Sequence, residues 1–189
     1  MILEAAARCF RANGFRGASI SDICRESGVG VGNLYHYFDG KEAMVEAIAA
    51  QDGAVTARIL DELDRADDIV ERIRQLASAA EMDEGYVVDD ALAVEIIAEA
   101  ARNPRVAAIR RETDLAVRKR LAEVLAGAQR RGTVDPTLNP DATAWLVVSL
   151  FEGLSLRRIT DTPEEYHRGL LRVRDHIVEL LNLKESGGP

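Results

Sequence analysis

Residues 19–41 read SISDICRESGVGVGNLYHYFDGK, and this stretch predicts two short helices joined by a glycine-bearing turn. Ser19 is a residue type that caps the free amides at the start of a helix, and Asp22 suits the positive end of that helix. Gly28 ends the helix and lets the chain reverse, and a second short helix follows Gly30. This order is typical of a helix-turn-helix, whose second helix enters the major groove of DNA.

The second helix is predicted to have one face for the protein core and one face left free. Val29, Leu34 and Phe38 supply its apolar anchors. The free face carries small or hydrogen-bonding residues that suit contact with base edges and phosphates, namely Gly32, Asn33, Tyr35, His36 and Tyr37. For Tyr37, packing within the small domain is an equally open alternative. A helix of about seven residues is ~10 Å long, which matches entry into one groove.

Apolar residues recur at spacings of three and four through the rest of the chain, so we predict an all-α protein. The first helix is expected over about residues 2–13, with Gly14 as a left-handed cap and Phe15 packing back against it. The start signal Asp39-x-x-Glu42 opens a long helix over about residues 41–64. Further helices are predicted over about residues 67–82, 88–102, 105–131, 140–159 and 163–183.

These helices are expected to form two domains and a tail. Residues 1–48 are predicted to form a three-helix DNA-binding domain with the helix-turn-helix. Residues 49–184 are predicted to form a larger helical domain for effector binding and dimerisation. Residues 185–189 lack apolar periodicity, which predicts a disordered tail.

The charge distribution limits how DNA could be held. The formal net charge is -8, which argues against a protein coated in nucleic acid. Residues 1–50 hold five basic and six acidic residues, so most of the acidic excess lies away from the predicted helix-turn-helix. The sequence shows no signal-peptide pattern and no apolar run near the ~20 residues that cross a bilayer. We therefore expect a cytoplasmic protein without membrane contact.

Three spaced patterns match a known signature in register. Phe10 lies near the end of the first helix, the turn NGFRGAS occupies residues 13–19, and residues 28–42 fit G-V-x-x-x-x-LY-x-YF-x-x-K-E. On these residues the chain resembles the TetR family of regulators, and the resemblance is specific over residues 1–48. Beyond residue 48 the resemblance is limited to chain length, helical content and the general pattern of the last two helices.

The resemblance implies a set of DNA contacts. Phosphate contacts fall on Ser19, Tyr35, His36, Tyr37 and Lys41, and residues near bases are Gly32 and Asn33. Two departures predict weaker attraction to phosphates: residues 30–32 are Gly-Val-Gly where the family often has Ser and a basic residue, and the usual basic arm before the first helix is missing. Because the first helix starts almost at Met1, we expect either a trimmed chain or a start upstream of the one shown.

By the same resemblance, the last two predicted helices pair with their copies in a second chain as a four-helix interface. The residues expected there are Trp145, Val148, Phe151, Leu170, Val173 and Ile177. An ordinary core within one chain is the alternative. Dimerisation is favoured because symmetric half-sites require two recognition helices.

The predicted function is a repressor that binds an inverted-repeat operator as a dimer and is released by a small molecule. The effector, whose identity the sequence does not give, is expected to enter among the helices over about residues 50–131 and to change the separation of the recognition helices. An activator is the alternative among regulators. A helical small-molecule-binding protein or enzyme with an incidental helix-turn-helix is the alternative from another class, and sequence-selective DNA binding separates the two.

No cofactor, metal or catalytic residue is predicted. His36, His167 and His176 lack ligand spacing on a helix face. The glycines of residues 28–32 follow no strand and precede no Gly-Lys-Ser/Thr, which excludes a phosphate-binding loop.

Two further residue pairs have a structural and a functional interpretation. Cys9 and Cys24 could form a redox switch, but small buried thiols are far commoner in cores. Glu95 and Glu99 are four apart, and a solvated helix face is favoured over buried carboxylates that receive a cationic ligand.

Overall fold

The computed structural model describes residues 1–75 and 88–182, and these residues form nine α-helices and no strand. In chain order the helices are α1 (Ile2–Gly17), α2 (Ile20–Ser27), α3 (Val31–Tyr37), α4 (Lys41–Arg65), α5 (Ile69–Gln75), α6 (Asp90–Ala100), α7 (Pro104–Arg131), α8 (Pro140–Thr160) and α9 (Pro163–Leu181). The all-α prediction is confirmed, and most helix ends lie within two residues of the predicted ones. The end of the helix predicted over 67–82 and the tail predicted over 185–189 lie outside the described residues.

The described chain divides into two compact units. The first contains residues 1–55 and 88–114, and the second contains residues 56–75 and 115–182. The long helices α4 and α7 each contribute residues to both. The first unit extends beyond the predicted 1–48 domain because Leu92 of α6 and Val106 of α7 are buried in the same core as residues of α1–α4.

The core of the first unit fixes the helix-turn-helix. Phe10 of α1, Ile23 of α2, Leu34 of α3 and Ile48 of α4 are all almost completely buried in one cluster. Burial of each such side chain contributes about 1.5–3 kcal/mol relative to exposure. Leu34 is the one fully buried residue of α3, so it sets which face of that short helix points outward.

Helix α1 is interrupted at Gly14, where φ is 70° and ψ is 162°. The positive φ was predicted, but the ψ value lies outside the left-handed helical region that we expected of a cap. This combination is essentially restricted to glycine. The bend brings Phe15 back against α1, with its ring centroid 5.2 Å from that of Phe10, as predicted.

The second unit has its own apolar core. Its buried members come from α4, α5, α7, α8 and α9, and include Leu63, Ile69, Leu125, Val147 and Ile177. Local signals set the starts of the last two helices: the Asn139 side chain accepts from the N–H of residue 142, and Thr162 forms a capping box with Glu165. Within residues 1–75 and 88–182, no helix combines the length and apolar character that crossing a membrane requires.

Candidate nucleic-acid interface

Helix α2 begins at the predicted Ser19 cap, which Asp22 completes as a capping box. The Ser19 hydroxyl accepts from the Asp22 N–H at 3.1 Å and donates to the Asp22 carboxylate at 2.6 Å. The same carboxylate accepts from the Ser19 N–H at 3.1 Å and pairs with Arg25. The hydrogen bonds from Ser19, and then Arg25, lower the pKa of Asp22. A phosphate contact from the Ser19 hydroxyl would therefore replace a bond to a neighbouring carboxylate.

The turn between α2 and α3 contains the left-handed Gly28, at φ 71° and ψ 13°. Its N–H bonds to the Cys24 carbonyl, which closes α2 as predicted. Gly30 then precedes α3 in an extended conformation. These two glycines turn the chain within three residues and bring Leu34 into the core.

Helix α3 presents five of the predicted DNA-contact residues to solvent. The exposed residues are Gly32, Asn33, Tyr35, His36 and Tyr37. The Tyr37 ring packs edge-on against His36 with centroids 5.3 Å apart, and it lies outside the core. A Cβ added at Gly32 would meet no atom within 4 Å, so the backbone there is open to close approach. The amide, hydroxyl and imidazole groups on this exposed surface can hydrogen-bond to bases and phosphates.

Lys41 has a different environment from the one that its predicted phosphate contact implies. Its ammonium donates to the carbonyl oxygens of Phe15, Arg16 and Ala18, the last at 3.0 Å, and lies 4.6 Å from the centroid of the Phe15 ring. These carbonyls belong to the end of α1, where a cation is favourable. Lys41 therefore ties the start of α4 to the end of α1, and a phosphate would compete with these bonds.

Glu95 and Glu99 of α6 bind residues that directly follow the Gly14 bend in α1. The Glu95 carboxylate accepts from the Phe15 N–H at 2.7 Å. Glu99 is only 2% exposed and accepts from Arg102 at 2.8 Å and Arg16 at 3.3 Å. The prediction of a solvated face is wrong at Glu99, because α6 packs on α1 within the first unit. The alternative of a cationic ligand also finds no support, since arginines of the chain occupy this carboxylate.

The Glu99 pKa is lowered, chiefly by its hydrogen bond from Arg102 and also by Arg16, against the opposing effect of burial. Glu99 is thus a charged group that stabilises the fold. Phe15, which donates to Glu95, and Arg16, the second partner of Glu99, lie about eighty residues away in the chain. Sequence periodicity on α6 could not identify them.

The basic residues among the first fifty are all engaged within the first unit. Arg8 pairs with Glu26, Arg11 with Asp89, Arg16 with Glu99 and Arg25 with Asp22, while Lys41 binds backbone carbonyls. Most of these pairs are exposed, so they contribute little stability and can exchange with a phosphate. Arg25 is the most exposed of the four arginines.

Cys9 and Cys24 are both free and buried in the core of the first unit. Burial is the main cause that raises the pKa of Cys9, with the carboxylates of Glu26 and Asp22 adding to it. A thiol with a raised pKa is a poor nucleophile. These observations favour the core interpretation of the two cysteines.

The residues predicted for the dimer interface differ in accessibility. Trp145 of α8 is 57% exposed, and Val148, Phe151 and Val173 are partly buried. Leu170 and Ile177 are buried within their own chain, which corresponds to the intrachain alternative. The exposed apolar surface of α8 also includes residues that the prediction omitted, namely Leu146, Leu156 and Ile159.

The second unit contains an ion-pair cluster that the sequence pattern did not predict. The Arg120 guanidinium of α7 bonds to Asp61 at 2.6 Å and to Asp64 at 3.0 Å, both on α4. These carboxylates, Asp61 first, raise the pKa of Arg120. The three-residue spacing of the two aspartates was a local signal, but their partner lies more than fifty residues away.

Two family models match this chain. Residues 2–48 match the model described as bacterial regulatory proteins, tetR family, and residues 89–182 match the one described as BetI-type transcriptional repressor, C-terminal. The HTH-type transcriptional regulator UidR of Escherichia coli strain K12 is 35% identical over 157 residues, which are 81% of this chain and 77% of UidR.

Solved structures have the same fold. GusR of Salmonella enterica superposes with a TM-score of 0.72 at 28% identity, covering 95% of this chain and 93% of GusR. The reduced form of E. coli NemR superposes with a TM-score of 0.75 at 20% identity, covering 97% of each chain, which shows a likeness of fold alone. The helix-turn-helix, the two family-model matches and the similarity to UidR agree. This chain belongs to the TetR family and is a DNA-binding transcription regulator.

Proposed function

We propose that the chain is a repressor that binds an inverted-repeat operator as a homodimer and is released by a small molecule. The observation that carries the proposal is the orientation of α3. Leu34 is fully buried, while Gly32, Asn33, Tyr35 and His36 are exposed on the same short helix. This is the arrangement that a recognition helix needs to enter a major groove.

In this proposal, the polar groups of α3 make the direct contacts. Asn33 and Gly32 approach base edges, and the hydroxyls of Tyr35 and Tyr37 and the His36 ring bind phosphates. Ser19 and Lys41 contribute mainly by holding α2 and α1 in place, since their polar groups already bind within the chain. The basic residues among the first fifty are engaged within the chain, so we expect less electrostatic attraction to DNA than in a basic domain.

A second copy is proposed to cover the exposed apolar surface of α8. Trp145 is 57% exposed, and large aromatic side chains are enriched in interfaces. Light scattering of the wild type at micromolar concentration should give a dimer, and Trp145→Asp should give a monomer with much weaker operator binding. Leu115→Asp is the matched control, because Leu115 is 56% exposed on α7 and should leave the dimer intact. A wild-type monomer would contradict the proposal.

The effector is proposed to act on the equilibrium between DNA-binding and DNA-free conformations of the dimer. A ligand shifts this equilibrium only by its differential affinity for the two conformations. A difference of about 100-fold corresponds to about 2.7 kcal/mol and would release most of the protein from an operator of moderate affinity. The BetI-type match of residues 89–182 supports a repressor with such a second domain.

The test is selection of binding sites from random duplex DNA at fixed salt. The wild type should enrich an inverted repeat. The variant Asn33→Ala with Tyr35→Ala should enrich none, and because both side chains are exposed, its thermal unfolding should stay that of the wild type. Failure of the wild type to enrich any sequence, or an unchanged operator from the variant, would contradict the proposal.

A further inference from the structure

The outward face of α3 contains one aliphatic side chain that the contacts described above leave unused. Val31 is 47% exposed. The other aliphatic residues of the helix-turn-helix lie in the core or against it: Ile20, Ile23, Val29 and Leu34. Val31 is therefore the exception among these aliphatic residues, since the other four pack in or against the core.

Val31 shares its face of α3 with Tyr35. Residues four apart on a helix lie one above the other on one surface, and Tyr35 is 52% exposed. The neighbouring Gly32 has no side chain and leaves open space around its Cα. Nothing on α3 therefore prevents the Val31 methyl groups from reaching the floor of a groove that Tyr35 borders.

The residue types of α3 limit which bases it can read. Residues 28–38 contain no Lys, Arg, Asp or Glu. The commonest contacts to guanine use Arg or Lys, and contacts to cytosine use a carboxylate, so α3 supplies neither. An exposed aliphatic group matches one feature of the major groove, the 5-methyl group of thymine.

We propose that Val31 is a specificity-determining residue that reads a thymine in each half-site by contact with its 5-methyl group. The inference deepens the proposed function, because it rests on the entry of α3 into the major groove. It predicts a thymine at one fixed position of the selected half-site. It also predicts that the methyl group, and not the hydrogen-bonding edge of that base pair, determines the preference.

Deoxyuridine tests this directly, because it pairs like thymidine and lacks only the 5-methyl group. Each thymine of the selected operator is replaced in turn, in both half-sites, and the dissociation constant is measured at fixed salt. For the wild type, loss of one methyl contact should weaken binding by about fourfold per half-site and about fifteenfold for both. Val31→Ala, which removes two methyl groups and keeps only the Cβ, should bind the thymine operator more weakly and show a smaller deoxyuridine effect at that one position.

Ile97→Ala is the matched control, because Ile97 is also 47% exposed but lies on α6. It should keep the full deoxyuridine effect. Val31→Ala should unfold at the wild-type temperature, since its side chain is outside the core. Equal deoxyuridine sensitivity of Val31→Ala and the wild type at every thymine would overturn the inference and leave the proposed function standing. Absence of any selected operator would overturn both.

Discussion

Replacing Gly14 by alanine adds one methyl group at the bend of α1, where the backbone conformation and the space both oppose it. The backbone conformation, at φ 70° and ψ 162°, costs a residue with a Cβ about 1–3 kcal/mol. The new Cβ would also lie 3.1 Å from a carboxylate oxygen of Glu95, which must shift by a few tenths of an ångström and so weaken its hydrogen bond from the Phe15 N–H. Complete loss of a hydrogen bond to a charged group costs about 1.5–3 kcal/mol, and weakening it costs part of that. We expect a combined loss of about 3 kcal/mol.

The assay is thermal and urea unfolding followed by circular dichroism, at one fixed protein concentration because a dimer is expected. For a chain of this size the loss corresponds to a fall in Tm of about 6–12 °C. Gly17→Ala is the control: a Cβ there meets its nearest atom at an ordinary 3.6 Å, so its Tm should be unchanged or slightly higher. Glu95→Ala should cost less in the Gly14→Ala background than in the wild type, since that hydrogen bond is already weakened. A Tm for Gly14→Ala within about 1 °C of the wild type would show that neither the backbone conformation nor the Glu95 contact opposes a side chain at this position.

Three further outcomes follow from the first unit. Ser19→Ala should lower the free energy of unfolding by about 1 kcal/mol through loss of the N-cap, and no change in urea unfolding would argue against a role for this cap in stability. Arg102 and Arg16 lower the Glu99 pKa, so the stability that this carboxylate contributes is present above pH 4.5 and is lost as the pH falls through the lowered pKa. Glu99→Gln should therefore flatten the decline of stability in acid. An unchanged pH profile of stability would contradict this. Lys41→Met should lower the Tm, because the ammonium binds carbonyl oxygens at the end of α1. It should leave the slope of log K for operator binding against log salt unchanged. A slope smaller by about 1.8 per dimer would contradict this and indicate one phosphate contact from each Lys41.

The sequence predicts the helix-turn-helix well because its signals are local. Ser19 and Asp22 are three residues apart, and the reversal at Gly28 depends on a single residue type. Leu34 follows from the apolar spacing of α3, and its burial determines the outward face. Each of these features needs information from only a few neighbouring residues.

The remaining interactions depend on partners that sequence spacing cannot reveal. Lys41 binds carbonyls more than twenty residues away, and Glu99 binds Arg16 across 83 residues. A lysine after a recognition helix and a glutamate on an amphipathic helix both suggest solvent or ligand contact when taken alone. Packing of α6 and α4 around the bend of α1 converts them into internal contacts.

If two copies of α3 read two half-sites together, binding depends on the spacing between those half-sites. Binding of the wild type to the selected operator is compared with binding to the same operator carrying five extra base pairs between its half-sites. The insertion turns one half-site by about half a helical turn relative to the other. Affinity for the lengthened operator should fall nearly to that for non-specific DNA. Unchanged affinity would contradict a dimer that reads both half-sites at once.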